Sequence, residues 1–200
     1  MTAKGKVNIR SLFDYKAIYS LIEQHIREYP QWQDFTFRRY HFTAVRQILG
    51  WALRDETEAA ALNIDLQKGL LVMGTANIGK TRLMRFISKI KVDDDPRPFK
   101  MINCANLSDQ YAITGRHALL PVVHTSCCLD GLGREMPTGY FGPTFELMAK
   151  VLLDFAEDHV STGLITHVTT TLGGKEIEDR YGKEVRAKMK GMFNQVVLDK

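Results

Sequence analysis

Apolar positions along this chain recur in two periods, and the change from one to the other marks its centre. Leu12, Tyr15, Ile18, Leu21, Ile22, His25 and Ile26 share one face at helical spacing. They predict an amphipathic helix over residues 12–29, with Ser11 as N-cap and Pro30 as the stop. Such a helix either packs on the core or offers a face to a partner. Val45, Ile48, Leu49, Ala52 and Leu53 predict a second helix over residues 43–61, which leads through Asn63 and Asp65 into an unbroken apolar run, Leu70 to Met73. That run suits a buried parallel strand, and Leu83, Phe86, Ile87 and Ile90 then return to helical spacing. Beyond it, strands are predicted over residues 99–104, 122–130, 163–170 and 195–198, with helices over 106–112, 144–159, 176–181 and 183–193. In the helix at 144–159, Thr144 is the cap and Leu147, Met148, Val151, Leu152 and Phe155 face inward. Gly182 separates the last two helices, residues 93–98 read as an exposed turn, and residues 131–143 as a loop. Residues 1–10 show no periodicity and read as a flexible, basic start. Alternation of strand and helix from Leu70 onward predicts an α/β fold, a mostly parallel sheet sandwiched by helices.

Composition bounds the class without naming the chemistry. At 200 residues, with 44% hydrophobic and 25% charged positions, the chain suits one domain, or one with a small appendage, and disorder is not expected. No apolar run approaches the roughly 20 residues of a membrane span, and the start MTAKGKVNIR lacks the apolar segment of a signal peptide, so a cytoplasmic protein is expected. The net charge of +4 and pI near 8.9 permit contact with nucleic acid without requiring it. Cys104, Cys127 and Cys128 fall in apolar runs and read as small buried hydrophobes. A zinc site from Cys127, Cys128, His117 and His124 would have no usual ligand spacing.

Between the strand at Leu70 and the following helix, Gly74, Gly79, Lys80 and Thr81 complete the pattern G-x-x-x-x-G-K-S/T. The glycines let the backbone turn tightly and aim its N–H groups, together with the positive end of the helix, at nucleotide phosphates. Gly74, Thr75, Ala76, Asn77, Ile78 and Gly79, with Lys80, Thr81 and Arg82 opening the helix, are therefore the candidate nucleotide-binding stretch. Lys80 is expected to meet the phosphates, and the Thr81 hydroxyl a Mg²⁺ ion. The alternative is a glycine turn with no ligand. Asp130 ends the apolar run VVHTSCCLD, where a second Mg²⁺ ligand belongs; it could otherwise cap a turn before Gly131 and Gly133.

Two aromatic stretches stay open to two readings each. QWQDFTFRRYHF, residues 31–42, mixes Trp32, Phe35, Phe37, Tyr40 and Phe42 with Arg38 and Arg39. It fits either a single-stranded nucleic-acid platform or a linker clamped to the domain. Tyr140 and Phe141, in the loop beyond Asp130, either stack on DNA or anchor that loop.

Taken in order, GTANIGKT, CCLDGLGRE, GLITHVTTTL and IEDRYGKEVRAKMKGMFNQVVLD resemble the AAA+ ATPases of the bacterial helicase-loader group, the DnaC/IstB-like family. The phosphate loop is generic, whereas the tail, a basic helix after a Tyr-Gly pair, is more specific to that group. The resemblance covers roughly residues 40–198 and implies a RecA-like/AAA+ P-loop NTPase core. On this reading residues 1–40 are an N-terminal helical extension and 41–200 the nucleotide-binding domain, without a separate C-terminal lid. It also implies ATP and Mg²⁺ as ligands, a homo- or hetero-oligomer, and action on single-stranded DNA, a replicative helicase or a transposase.

Carried over by position, Lys80 and Thr81 match the phosphate and magnesium ligands, and Asp130 the first Walker B acid. Gly131 stands where the family pattern has a second, water-orienting acid, and Thr171 where it has the sensor-1 asparagine. Lys188 aligns with the arginine finger, with Arg186 close by, and the sequence stops at Lys200, before the usual sensor-2 arginine. A missing base is worth about 10²- to 10⁴-fold in rate and a missing finger about 10³- to 10⁵-fold. Lysine keeps the charge but not the planar fork of donors. Nucleotide binding is therefore expected to survive with hydrolysis slow or absent, unless Glu135 approaches the γ-phosphate as a substitute base. Tyr40 and Trp51 lie where an adenine pocket would form.

Three functions compete. The first is an ATP-binding loader with weak ATPase activity, acting in DNA replication or mobile-element transactions. The second is a hydrolysis-deficient nucleotide-dependent switch or assembly subunit. The third, a small-metabolite kinase, fits the phosphate loop but lacks a lid carrying several arginines.

Overall fold

A computed structural model describes residues 13–33, 35–90 and 98–199. The basic start, Ser11, Leu12 and most of the 93–98 turn lie outside them. Eight α-helices and five strands are found among the described residues, alternating from β1 to β4: α1 (Tyr15–Arg27), α2 (Phe42–Ala52), α3 (Glu56–Ala61), β1 (Gly69–Met73), α4 (Lys80–Ile87), β2 (Lys100–Asn103), α5 (Cys104–Thr114), β3 (Cys127–Leu132), α6 (Leu147–Thr162), β4 (Thr166–Thr170), α7 (Gly174–Tyr181), α8 (Lys183–Met192) and β5 (Phe193–Val197).

The strands form one parallel sheet in the order β2-β3-β4-β1-β5. β1, the most apolar segment, lies between β4 and β5 and is wholly buried. Its side chains alternate as the strand period requires: Leu70 and Val72 join one core with α1, α2 and α4, while Leu71 and Met73 join the other with α5 to α8. Gly69 opens β1 because nothing larger fits, a Cβ there falling 1.7 Å from the Thr166 carbonyl oxygen. The predicted α/β architecture is the observed one, and no helix among the described residues is long and apolar enough to cross a membrane.

Several boundaries differ from expectation by a few residues, and for some of them a named hydrogen bond or turn gives the reason. The helix predicted over 43–61 is two, α2 and α3. The chain breaks at Arg54, whose φ is 57°, and Asp55 restarts it by accepting from Glu58 N–H at 3.0 Å. α1 is capped by Asp14, which accepts from Ala17 N–H at 3.1 Å. The strand predicted from 122 starts at Cys127, because Val122 and Val123 N–H turn back to Leu119 O at 3.0 Å each. α6 starts at Leu147 instead of following a Thr144 cap, since Phe145 is held in a two-way backbone pairing with Thr138. In the 31–42 stretch, Phe37 is buried against Phe35 and Tyr19, and its N–H donates to Glu23 at 2.8 Å, whereas Arg38, Arg39 and Tyr40 are exposed. Cys104, Cys127 and Cys128 are buried free thiols; burial pushes the Cys127 thiol up to about 12. The described residues hold no cluster of His, Cys, Asp or Glu suited to a metal.

Candidate functional site

The segment from β1 to α4 forms a loop whose backbone only particular residues accept. Gly74 (φ 149°) and Gly79 (φ 97°) take conformations that favour glycine, and Asn77 (φ 62°) the left-handed one that asparagine tolerates. The loop wraps the Lys80 ammonium, which donates to Gly74 O at 2.6 Å and Thr75 O at 2.7 Å. Burial pulls the Lys80 pKa down; Asp199 and Asp130 push it back up, and Arg134 lowers it further. Asp199, beyond β5, pins the loop's first turn by accepting from Thr75 N–H at 2.8 Å and from its hydroxyl at 3.0 Å.

Pairing of β3 with β4 brings the second half of the site opposite. Thr81 donates its hydroxyl to Asp130 Oδ1 at 2.7 Å, and Thr169 donates to the same oxygen at 2.7 Å. The β3–β4 register slips between Leu129 and Leu132. Within that slip Gly131 (φ 77°) sends its N–H to the Thr169 hydroxyl at 2.9 Å. The position expected to carry a second acid is thus a bulge in a conformation that favours glycine.

A cleft of about 530 Å³ lies between these halves. Ala76, Asn77, Ile78 and Gly79 line it from the loop, Lys80, Thr81 and Arg82 from α4, and Asp130 and Thr171 from the strand ends. Arg82 also sets its guanidinium 3.3 Å from the centre of the Tyr29 ring. Gly74 and Thr75 shape the loop without lining the cleft.

Two expected residues are elsewhere. Glu135 is buried outside the cleft, with one carboxylate oxygen accepting from the Tyr181 hydroxyl and the other from Gly133 N–H at 2.9 Å. The structure does not bring it to the phosphate loop, because its neighbours on α7 hold it in the interior. Lys188 is exposed on α8 and does not line its own chain's cleft.

Sequence reading missed Thr169, Arg85, Arg134 and Gln31, all of which line the cleft. Thr169 had a signal: it lies near the end of the predicted strand 163–170, two residues before the candidate Thr171, where strand ends of a parallel sheet gather. Arg134 was visible within GLGRE, but only the turn after β3 gives its direction. A second hollow, of about 380 Å³, is lined by Phe35, Tyr40 and His41 and shares Gln31, Asn77 and Ile78 with the first. Trp51 is buried in the core, its indole N–H donating to Lys68 O at 2.7 Å.

No protein-family model matches the chain, and no curated protein matches it. Among solved structures it is similar to the DnaC helicase loader, with a TM-score of 0.60 at 16% identity over 82% of this chain and 93% of that one. It is also similar to a proposed primosome component of Streptococcus pyogenes serotype M3, with a TM-score of 0.57 at 15% identity over 80% of each chain. The chain therefore has a DnaC-like fold, a parallel five-stranded sheet flanked by helices.

Proposed function

We propose that this chain, with its DnaC-like AAA+ fold, is an ATP- and Mg²⁺-binding protein of helicase-loader type that works in DNA replication as a nucleotide-dependent switch. The observation that carries the reading is the convergence of Lys80, Thr81 and Asp130 across one cleft. Its volume falls within the range of small-molecule sites.

The residues fit both ligands. The Thr81 hydroxyl and the Asp130 carboxylate, 2.7 Å apart, form an all-oxygen donor set suited to a hard dication. They would hold Mg²⁺, which supplies charge neutralisation at the phosphates. Lys80 and the N–H groups of residues 76–81 bind the phosphate chain. The hollow beside Tyr40 and His41 is the seat for the base.

Turnover is expected to be low. Asp130 is the one carboxylate among the described residues lining the cleft, Gly131 brings no acid, and Thr171 offers a hydroxyl in place of an amide. This favours the switch over the weak ATPase. A replicative helicase is the proposed protein partner. Phe141, 96% exposed, and its neighbour Tyr140 are the proposed contact with single-stranded DNA. Lys188, exposed on α8, is the proposed contact with the nucleotide of an adjacent subunit in an oligomer.

Calorimetry with ATP and ADP in the presence of Mg²⁺ tests the binding claim: no heat of binding from folded protein refutes it. Steady-state turnover, with and without single-stranded DNA and with Lys80→Ala as background, tests the switch. Turnover clearly above that background replaces the switch with a working ATPase.

A further inference from the structure

Lys80, Arg82, Arg85 and Arg134 bring four cationic side chains to the phosphate-loop cleft, against the single carboxylate of Asp130. Two of the four are already engaged, Lys80 by loop carbonyls and Arg82 by the Tyr29 ring. Arg134 makes no side-chain hydrogen bond or ion pair with any described residue, although it lines the cleft.

We propose that Arg134 binds the terminal phosphate of a nucleoside triphosphate in cis, so that the cleft distinguishes triphosphate from diphosphate by an arginine at the spot where a water-orienting acid is missing. This rests on the nucleotide-binding reading above and adds the residue that senses the terminal phosphate.

Local geometry places the arginine there. Arg134 N–H donates to Gly131 O at 3.1 Å, closing a turn that folds the side chain back over Gly131. A Cβ built on Gly131 would stand 3.2 Å from Arg134 Cδ. A side chain at position 131 would press on the arginine stem, and the φ of 77° there disfavours any residue but glycine, so the arginine stem packs over an open Gly131.

The loop presenting Arg134 is also fixed. Arg180, on α7, donates to Gly133 O and to Glu135 O at 2.5 Å each, gripping the backbone on both sides of Arg134. Glu135 ties the same segment inward through Tyr181 and Gly133. Such anchoring reduces the ordering cost when an anion arrives. The guanidinium lowers the Lys80 pKa, so its charge is felt at the loop lysine, and a polyphosphate between them would relieve that repulsion. A planar fork of donors that stays charged at all working pH values matches phosphate oxygens bidentately.

The test measures the affinities of ADP and of the non-hydrolysable β,γ-imido analogue of ATP, both with Mg²⁺, for wild type, Arg134→Ala, Arg134→Lys, Arg85→Ala and Lys80→Ala. Arg134→Ala is expected to weaken the imido analogue by about tenfold or more while leaving ADP within about twofold. Arg134→Lys should recover part of the loss, and Lys80→Ala should weaken both ligands. Unchanged affinities in Arg134→Ala, an equal loss for both nucleotides, or a selective loss in Arg85→Ala instead would each overturn the assignment while leaving nucleotide binding intact. Wild-type protein that is folded by thermal melt yet binds neither nucleotide overturns the underlying reading, a result distinct from those three.

Discussion

Tyr181, on α7, donates its hydroxyl to the buried carboxylate of Glu135 in the loop beyond β3. Burial, and then Glu135 itself, push the Tyr181 pKa up, so the phenol stays neutral and remains a donor. Arg180 completes the arrangement, reaching Glu135 at 3.5 Å and Glu146 at 3.2 Å. The α7 helix is thereby tied to the loop that presents Arg134 and continues towards Phe141.

This arrangement separates a supporting role for Glu135 from a chemical one. Tyr181→Phe leaves a buried carboxylate oxygen without its donor and is expected to cost about 1–3 kcal/mol of stability. Glu135→Gln should likewise lower the melting temperature, without changing any turnover per folded molecule. A water-orienting base would give the opposite pattern, an unchanged melt and a rate reduced by about 10²- to 10⁴-fold. Thermal melts and turnover measured on the same preparations decide between them.

His167, the second residue of β4, gives the fold an acid-sensitive point. Leu70 N–H donates to its Nδ1 at 3.1 Å, and the rings of Trp51 and Phe99 lie 4.5 and 4.4 Å away. Burial first, then the nearby Arg54 charge, lower its pKa from 6.5 to about 3. The unfolded chain therefore takes up a proton before the folded one does. The stabilisation is complete above about pH 6.5 and is lost as pH falls towards 3. By pH 5 the loss is expected to be about 2 kcal/mol. His167→Asn keeps an acceptor for Leu70 N–H, and should flatten stability between pH 7 and 5 relative to wild type in denaturant titrations. Parallel pH profiles for the two proteins would remove His167 as the cause.

What was legible in the sequence was what neighbouring residues decide. The run Leu70–Met73, the glycine pattern and the helical spacing of Leu83, Phe86 and Ile87 locate β1, the loop and α4, because each depends on local backbone and burial. Asp130 was legible as the end of an apolar run, although Val122 and Val123 were wrongly included in the strand. Their N–H groups go to Leu119, and the residue types do not show that. The Thr169–Asp130 hydrogen bond follows from pairing two strands far apart in sequence, as does the placement of Glu135 against Tyr181. The break at Arg54 was hidden because Trp51, Ala52 and Leu53 before it and Glu56, Glu58 and Ala59 after it all suit a helix.

That break gives a test of local origin. Asp55 caps α3 through Glu58 N–H at 3.0 Å and also accepts from the Tyr15 hydroxyl at 3.0 Å, joining the start of α3 to α1. Asp55→Ala removes both and is expected to cost about 1–2 kcal/mol, most of it from the cap. Asp55→Asn should retain most of that stability, since its side-chain oxygen still accepts. Chemical denaturation of the two variants checks the ordering, and equal losses would mean that the carboxylate charge, not the cap, stabilises this junction.

The Thr81–Asp130 pair invites a substitution that removes charge and keeps shape. Asp130→Asn leaves an oxygen to accept from the Thr81 and Thr169 hydroxyls, so the fold should hold and the melt should move little. A neutral amide, however, is a poorer partner than a carboxylate for a hard dication. In wild type, ATP affinity is expected to rise when Mg²⁺ replaces EDTA in the buffer. In Asp130→Asn that increment should shrink by about tenfold, while affinity in EDTA stays the same or improves as a negative charge leaves the cleft. Calorimetry under the two buffer conditions isolates the metal's share of binding, because the phosphate loop and Lys80 are intact in both proteins. An equal Mg²⁺ increment in the variant would mean that Asp130 supports Thr81 and Thr169 sterically and takes no part in holding the ion.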